Sequence, residues 1–171
     1  VPLLGEKGLL PVRQFLERVS FWDAPSLFWI SASDRSFTLV AWAGVILSLL
    51  AVTGISEALG IFFSAVVWAF LWAFYLSFVN VGQVFYGFGW ETLLLETGFL
   101  AIFLGSSKTA PPKIVIWLLR WILFRVMFGA GMIKIRADEC WRDLTCMLYH
   151  YETQPLPNPL SWYFHYLPPA I

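Results

Sequence analysis

Four charged side chains that could do chemistry lie inside otherwise apolar parts of this 171-residue sequence. Glu91 and Glu96 fall in one apolar run, and Arg120 and Arg125 fall in the next. The two members of each pair are five residues apart, which turns about 140° around a helix, so neither pair lies on one narrow stripe. Because arginine stays charged and an unpaired buried carboxylate takes up a proton, we expect the carboxylates to pair with the guanidinium groups across two helices.

This charge cluster has two interpretations. In the first, the ion pairs only fix the packing of the helices. In the second, the ionisable groups mark a functional site, either a pocket for a lipid headgroup or a general acid, because charges inside a membrane are costly and usually functional. The sequence contains no G-x-S-x-G, P-loop or H-E-x-x-H motif, so we predict no catalytic residue.

The histidines and cysteines do not form a metal-binding motif. His150 and His165 are separated by loop-like sequence and have no identifiable partner ligands. Cys140 and Cys146 are the only cysteines, too few for a four-ligand zinc site, and their spacing is not C-x-x-C. A small disulfide between them is sterically plausible in an oxidising compartment, whereas a cytosolic location would keep both thiols reduced. We therefore predict no metal ion and no cofactor.

The composition is that of a membrane protein. Hydrophobic residues make up 59% of the chain and charged residues 13%, against about 25% charged in soluble domains. Between residues 37 and 106 the only charges are Glu57, Glu91 and Glu96. The net charge is zero and the basic residues form no stripe, which argues against nucleic acid as a partner.

The apolar runs predict an all-α fold, a polytopic transmembrane helical bundle with interfacial loops. Crossing the bilayer takes roughly 20 apolar residues. Four helices are expected within a membrane region of residues 37–133: residues 38–56, 58–80, 90–104 and 114–133. The third is short, which favours a tilted or partly re-entrant segment. Trp68, Trp72 and Tyr75 share one face of the second helix, where aromatic packing is the expected role.

The two flanks have a different composition. Residues 1–36 predict an interfacial or exoplasmic segment with a short amphipathic helix over residues 9–19. Residues 134–171 are polar and rich in aromatic residues and proline, which predicts a loop region at the membrane surface. Since the first residue is Val1 rather than a methionine, we expect the sequence to be a piece of a longer chain with an upstream span.

Several long strings resemble those of one family, the lipase maturation factors. They are LLGEKGLLPVRQFL (3–16), VNVGQVFYGFGWETLLLETGFLAIFL (79–104), RWILFRVMFGAGMIKIR (120–136) and CWRDLTCMLYHYETQPLPNP (140–159). The resemblance implies a membrane protein, in vertebrates of the endoplasmic reticulum, that helps dimeric secreted lipases to fold and assemble. It also implies a cytosolic N-terminus, five spans and a luminal 140–159 loop. Counting basic residues instead places both ends of this chain in the cytoplasm, a difference that a missing first span explains.

The predicted function is therefore a non-enzymatic maturation or assembly factor in the lipid bilayer, with a client lipase or another membrane or secreted protein as partner. The expected location is the endoplasmic reticulum membrane in a eukaryote and the cell membrane in a bacterium. The candidate partner-binding residues come from the C-terminal loop: Trp141, Tyr149, His150, Tyr151, Glu152, Trp162 and Tyr163. Two alternatives remain: an accessory structural subunit of a larger bacterial membrane complex, and a membrane-embedded lipid- or cofactor-modifying enzyme that uses Glu91, Glu96, Arg120 and His150.

Overall fold

The computed structural model describes residues 2–106, 108–153 and 158–168. The regular elements of these residues are all helical, which confirms the all-α fold class. In chain order the α-helices are α1 Val12–Leu16, α2 Asp34–Val52, α3 Ile55–Ala58, α4 Ile61–Val81, α5 Gly89–Ala101, α6 Lys113–Ala137, α7 Glu139–Arg142, α8 Met147–Thr153 and α9 Ser161–His165. Single 3-10 turns occupy Leu27–Trp29 and Gln83–Tyr86. Of the helices described, α2, α4 and α6 are long and apolar enough to cross a membrane.

Helix α2 begins at Asp34, four residues before the start expected from the apolar run. Its N-cap is Ser33, whose side chain accepts a hydrogen bond from the backbone N–H of Ser36. A serine in this position satisfies a backbone donor that the helix itself leaves open, so the helix extends into polar sequence. The helix ends at Val52, and Gly54 follows with a φ of 73°.

The connection between α2 and α4 is the one-turn helix α3. Gly54 and Gly60 enclose it with φ values of 73° and 121°, which side chains rarely tolerate. The chain thereby reverses direction, and α4 returns along α2. A Cβ placed on Gly44 of α2 would lie 3.9 Å from the ring of Phe74 of α4, so the glycine allows close approach of the two helices.

Helix α5 runs antiparallel along α4. Near the end of α4, the Tyr75 hydroxyl donates to the Glu91 carboxylate, and the Trp72 indole N–H donates to the Leu95 carbonyl over 3.0 Å. Past the end of α5, a Cβ on Gly105 would lie 3.8 Å from Ile61, the first residue of α4. Residues 91–105 therefore cover the same length as residues 61–75, about 21 Å along a helix axis.

The N-terminal segment, residues 2–33, folds onto the start of α2 and the end of α4. Its contacts bury six side chains to at least 92%: Leu4, Val12, Leu16, Phe28, Phe37 and Val81. The expected amphipathic helix is the five-residue α1, in which Val12 and Leu16 face this core while Arg13 is exposed. Most of the buried apolar side chains among the described residues lie here, because the membrane helices expose their apolar surfaces outward.

The chain divides into two compact units, Val1–Ile122 and Leu123–Ile171. In the second unit α6 continues to Ala137, and the region expected to be loop contains the short helices α7, α8 and α9. Asp138 caps α7 by accepting from the Cys140 backbone N–H over 3.0 Å. These helices have only four to seven residues, too short to show a periodic apolar pattern in the sequence. The irregular backbone expected at Pro155, Pro157 and Pro169 falls outside the described residues.

Candidate functional site

The carboxylate of Glu91 is held by a tyrosine of the neighbouring helix. Glu91 lies in the first turn of α5, where the helix dipole favours a negative charge. The hydroxyl of Tyr75, on α4, donates to Glu91 Oε2. One turn along α4, the ring of Trp72 packs on Phe99 with centroids 5.4 Å apart. The Tyr75–Glu91 hydrogen bond therefore lies beside an aromatic contact between the same two helices, α4 and α5.

From the sequence, Tyr75 was expected only to pack against other aromatic residues, so its bond to Glu91 was not predicted. The residue type itself indicated such a bond, because the hydroxyl of a buried tyrosine in an apolar helix needs a partner. Glu96 lies one and a half turns further along α5 and is half-buried. The described contacts of α5 thus connect it to α4, a helix that the predicted charge pairing did not include.

The two arginines lie on α6. Arg120 and Arg125 are both exposed, and the Arg120 guanidinium lies 5.4 Å from the ring centroid of Trp117, one turn earlier. A guanidinium over an indole ring is an attractive cation–π arrangement, and it is stronger where water is excluded. The pairing of Glu91 and Glu96 with Arg120 and Arg125 stays a prediction.

The second candidate site begins with a small ring at the end of α6. Cys140 and Cys146 are joined as a disulfide with their Cα atoms 4.8 Å apart. Inside the ring, the backbone N–H groups of Thr145 and Cys146 both donate to the Cys140 carbonyl, over 2.9 and 3.1 Å. The Lys134 ammonium lies 4.7 Å from the centroid of the Trp141 indole. The same indole meets the imidazole of His150 edge-on. Through Trp141, the disulfide-closed ring therefore contacts both α6 and α8.

Helices α8 and α9 pack together through a polar side-chain contact and a ring contact. Glu152 Oε1 lies 3.2 Å from His165 Nε2, and the rings of Tyr151 and Phe164 stack with centroids 6.2 Å apart. The Glu152–His165 contact joins two helices of the same unit. Glu152 is among the predicted partner-binding residues, and that role stays a prediction.

The candidate partner-binding residues separate into two groups. Trp141, His150 and Tyr151 are half-buried and make the contacts within the unit described above. Tyr149, Trp162 and Tyr163 are exposed, with 53%, 65% and 65% of their surfaces accessible, and Glu152 is exposed as well.

Tyr166, which is not among the predicted partner-binding residues, joins the exposed aromatic group. It is 65% exposed and lies 4.7 Å from Trp162 between ring centroids, four residues later in the chain. Trp162 also meets the ring of Tyr163 edge-on at 5.6 Å. We call Trp162, Tyr163 and Tyr166 the aromatic cluster. In the residues that the structure describes, no three His, Cys, Asp or Glu side chains come together as metal ligands.

These features define a class of protein. Three helices of 19, 21 and 25 residues have the length and hydropathy of membrane spans, and polar, aromatic segments flank them. The chain is a helical integral membrane domain.

The chain belongs to the lipase maturation factor family. The family described as "Lipase maturation factor transmembrane domain" matches residues 1–171. The chain is 44% identical to human Lipase maturation factor 1 and 45% identical to its Bos taurus counterpart, each over 97% of this chain and 32% of the relative. It is 39% identical to Lipase maturation factor 2 of Xenopus laevis, over 97% of this chain and 26% of the relative.

The family resemblance seen in the sequence strings is thereby confirmed. The chain spans about a third of the length of the first of these relatives, at 32%. No solved structure matches it.

Proposed function

We propose that the protein to which this chain belongs acts in the membrane on the maturation of lipases. The family match over the whole chain supports this proposal, as do the names of relatives up to 45% identical to it. We propose dimeric secreted lipases as the clients and a non-enzymatic role, in which binding to the folding client is the whole activity.

The observation that carries the proposal is a disulfide-closed ring directly after a potential membrane span, within a unit that also exposes the aromatic cluster. Disulfides form and persist in oxidising compartments such as the lumen of the endoplasmic reticulum, the bacterial periplasm and the cell exterior. A disulfide between Cys140 and Cys146 therefore supports a luminal or exoplasmic location for this unit, the side on which secreted lipases fold. The proposed location is the endoplasmic reticulum membrane in a eukaryote and the cell membrane in a bacterium.

The proposed client contact is made by exposed aromatic side chains. Tryptophan and tyrosine are enriched among residues that dominate binding energy, because they bury a large area and lose little conformational entropy. Tyr149 and the aromatic cluster satisfy this requirement, being at least half exposed. Trp141, His150 and Tyr151 would support the surface from within, and Glu152 would do so through its contact with His165.

The membrane helices would hold this unit in the bilayer. We propose that the Tyr75–Glu91 contact keeps α5 on α4, and that Glu96, Arg120 and Arg125 contribute to helix packing rather than to catalysis.

The test is complementation in cells that lack their lipase maturation factor. The full-length parent of this chain is expressed, and secreted lipase activity is measured per unit of lipase protein. We expect the parent to restore specific activity, and a Trp162→Ala, Tyr166→Ala variant to reduce it at least about threefold at equal expression. The matched control is Trp22→Ala, which removes an equally large side chain that is 87% exposed in the N-terminal segment.

Two results would count against the proposal. Failure of a well-expressed and correctly inserted parent to restore lipase activity would contradict the lipase role. Full activity of the double variant, or equal loss in the Trp22→Ala control, would contradict the assignment of the client surface to the aromatic cluster.

A further inference from the structure

A groove of about 480 Å³ lies in the N-terminal segment, within the first compact unit. Its lining combines three charged side chains, Glu6, Arg13 and Glu17, with apolar residues and serines. Leu16 and Phe28, both more than 90% buried, form its apolar floor and belong to the core under α1. The groove therefore has an apolar base and charged walls.

The charged groups of the groove are available to a ligand. Glu6, Arg13 and Glu17 are all exposed, and neither Arg13 nor Glu17 forms an ion pair with another residue that the structure describes. The groove thus presents two carboxylates and one guanidinium. A complementary ligand carries a cationic group for the carboxylates and an anionic group, such as a phosphate, for the arginine.

An indole ring adds a preference for a cation. Trp29 lines the groove and is 36% exposed, and its N–H already donates to the Ala24 carbonyl over 2.9 Å. Because this one donor is used, a ligand would contact the indole ring of Trp29 rather than its N–H group; the same ring meets Phe21 edge-on at 6.3 Å. Indole rings attract quaternary ammonium groups such as choline.

The position of the groove indicates where such a ligand would come from. Ser33, the N-cap of α2, lines it, and α2 is a potential membrane span from Asp34 onward. The groove therefore lies at the level where a span enters the bilayer. Ile30, which lines the groove, is 86% exposed, and along α2 Leu39 and Trp42 are 70% and 63% exposed, an apolar surface suited to acyl chains.

We propose that this groove binds the headgroup of a zwitterionic phospholipid from the surrounding membrane. The ammonium group contacts Glu6, Glu17 and the ring of Trp29, while the phosphate contacts Arg13. The acyl chains continue along the exposed face of α2. A lipid in this position fixes the depth at which the N-terminal segment lies in the bilayer.

The test is native mass spectrometry of the chain in a neutral detergent, with dihexanoyl phosphatidylcholine and dihexanoyl phosphatidylglycerol as probes. The two lipids share acyl chains and phosphate, but only the first carries a cation. We expect phosphatidylcholine to bind about tenfold more tightly. Glu17→Gln should weaken its binding about three- to tenfold without weakening that of phosphatidylglycerol, and Arg13→Gln should weaken the binding of both.

The controls carry the same charge changes outside the groove. Arg18→Gln lies on the same segment, and Glu139→Gln changes an exposed residue of the other compact unit. Both should leave the preference for phosphatidylcholine unchanged, and circular dichroism verifies that every variant keeps its helical content. Equal affinity for the two lipids, unchanged binding in both groove variants, or equal weakening by the controls would each overturn the proposal.

Discussion

Tyr75 and Glu91 join α4 and α5 through one hydrogen bond in a region that a bilayer would shield from water. Replacing Tyr75 by Phe removes the donor and leaves the carboxylate without this partner. Loss of a hydrogen bond to a charged or buried group typically costs about 1–3 kcal/mol. We expect Tyr75→Phe to lower the melting temperature of the chain in detergent micelles, measured by circular dichroism.

The control for this prediction is Tyr163→Phe, because the Tyr163 side chain is 65% exposed and its hydroxyl has access to water. A second variant, Tyr75→Phe with Glu91→Leu, removes both partners and should recover part of the lost stability, since no polar group is then left unpaired. Equal melting temperatures of Tyr75→Phe and the parent chain would contradict the structural role of this contact.

Ser77 fixes the N-terminal segment to the last part of α4. Its hydroxyl accepts from the Leu27 backbone N–H over 3.0 Å, and its carbonyl accepts from the Ser26 hydroxyl over 3.1 Å. Ser77→Ala removes the acceptor of a part-buried backbone N–H, so we expect a loss of about 1–3 kcal/mol in the free energy of unfolding. Chemical denaturation in mixed micelles measures it.

Ser48 provides the matched control, because its hydroxyl only donates back to the Val45 carbonyl within α2. Ser48→Ala should change the free energy of unfolding by less than about 0.5 kcal/mol. If the two alanine variants were equally stable, the Leu27–Ser77 bond would not contribute to docking of the segment.

The pairing of these residues could not be predicted from the sequence. The sequence indicates that Tyr75 and Glu91 are polar groups in apolar helices, but their pairing depends on the antiparallel register of α4 and α5. The Ser26–Ser77 and Pro25–Asn80 contacts join residues 51 and 55 positions apart. No local pattern specifies such a pairing, because it arises only after the α2–α4 hairpin has formed.

At the scale of the elements, length and hydropathy predict α2, α4 and α6 because the requirement to span a bilayer fixes both quantities. The helix ends were less predictable. Ser33 extends α2 into polar sequence, and α6 runs on to Ala137, four residues past the expected end of the helix at Ile133. The four- to seven-residue helices near the C-terminus were expected to be loop, because they are too short to show a periodic apolar pattern, although the disulfide beside them was considered from the sequence.

The disulfide ring is the element whose removal is simplest to test. Closing so short a loop stabilises by about 2 kcal/mol in the chain-entropy model. We expect Cys140→Ser with Cys146→Ser to speed proteolytic cleavage between residues 138 and 153 by more than about tenfold, under conditions in which local opening limits access. Limited proteolysis followed by mass spectrometry measures the rate.

A reductant serves as the control for this element. It should speed cleavage of the parent chain as much as the double serine substitution does, and should have no effect on the double variant. Unchanged cleavage of the reduced parent would show that the ring does not hold α7 and α8 in place.

At the scale of the whole molecule, the antiparallel course of α5 has a topological consequence. Residues 91–105 return along α4 from the level of Tyr75 to the level of Ile61, although α5 itself has only 13 residues. The sequence left open whether this segment crosses, because its apolar run is short. Its close packing on α4 favours a crossing in which protein rather than lipid contacts part of the backbone.

This crossing, and that of α6, predict a pattern of accessibility for single cysteines introduced into a chain with Cys140 and Cys146 replaced by serine. Thr53→Cys and Lys108→Cys should react with a membrane-impermeant maleimide from one side of sealed vesicles. Ser20→Cys should react from the other side, because the N-terminal segment packs at the opposite end of the α2–α4 hairpin.

Thr153→Cys should also react from the side opposite Lys108→Cys if the 25 residues of α6 cross the bilayer. Labelling of Ser20→Cys and Lys108→Cys from the same side would make residues 89–105 re-entrant, and labelling of Lys108→Cys and Thr153→Cys from the same side would exclude a crossing by α6.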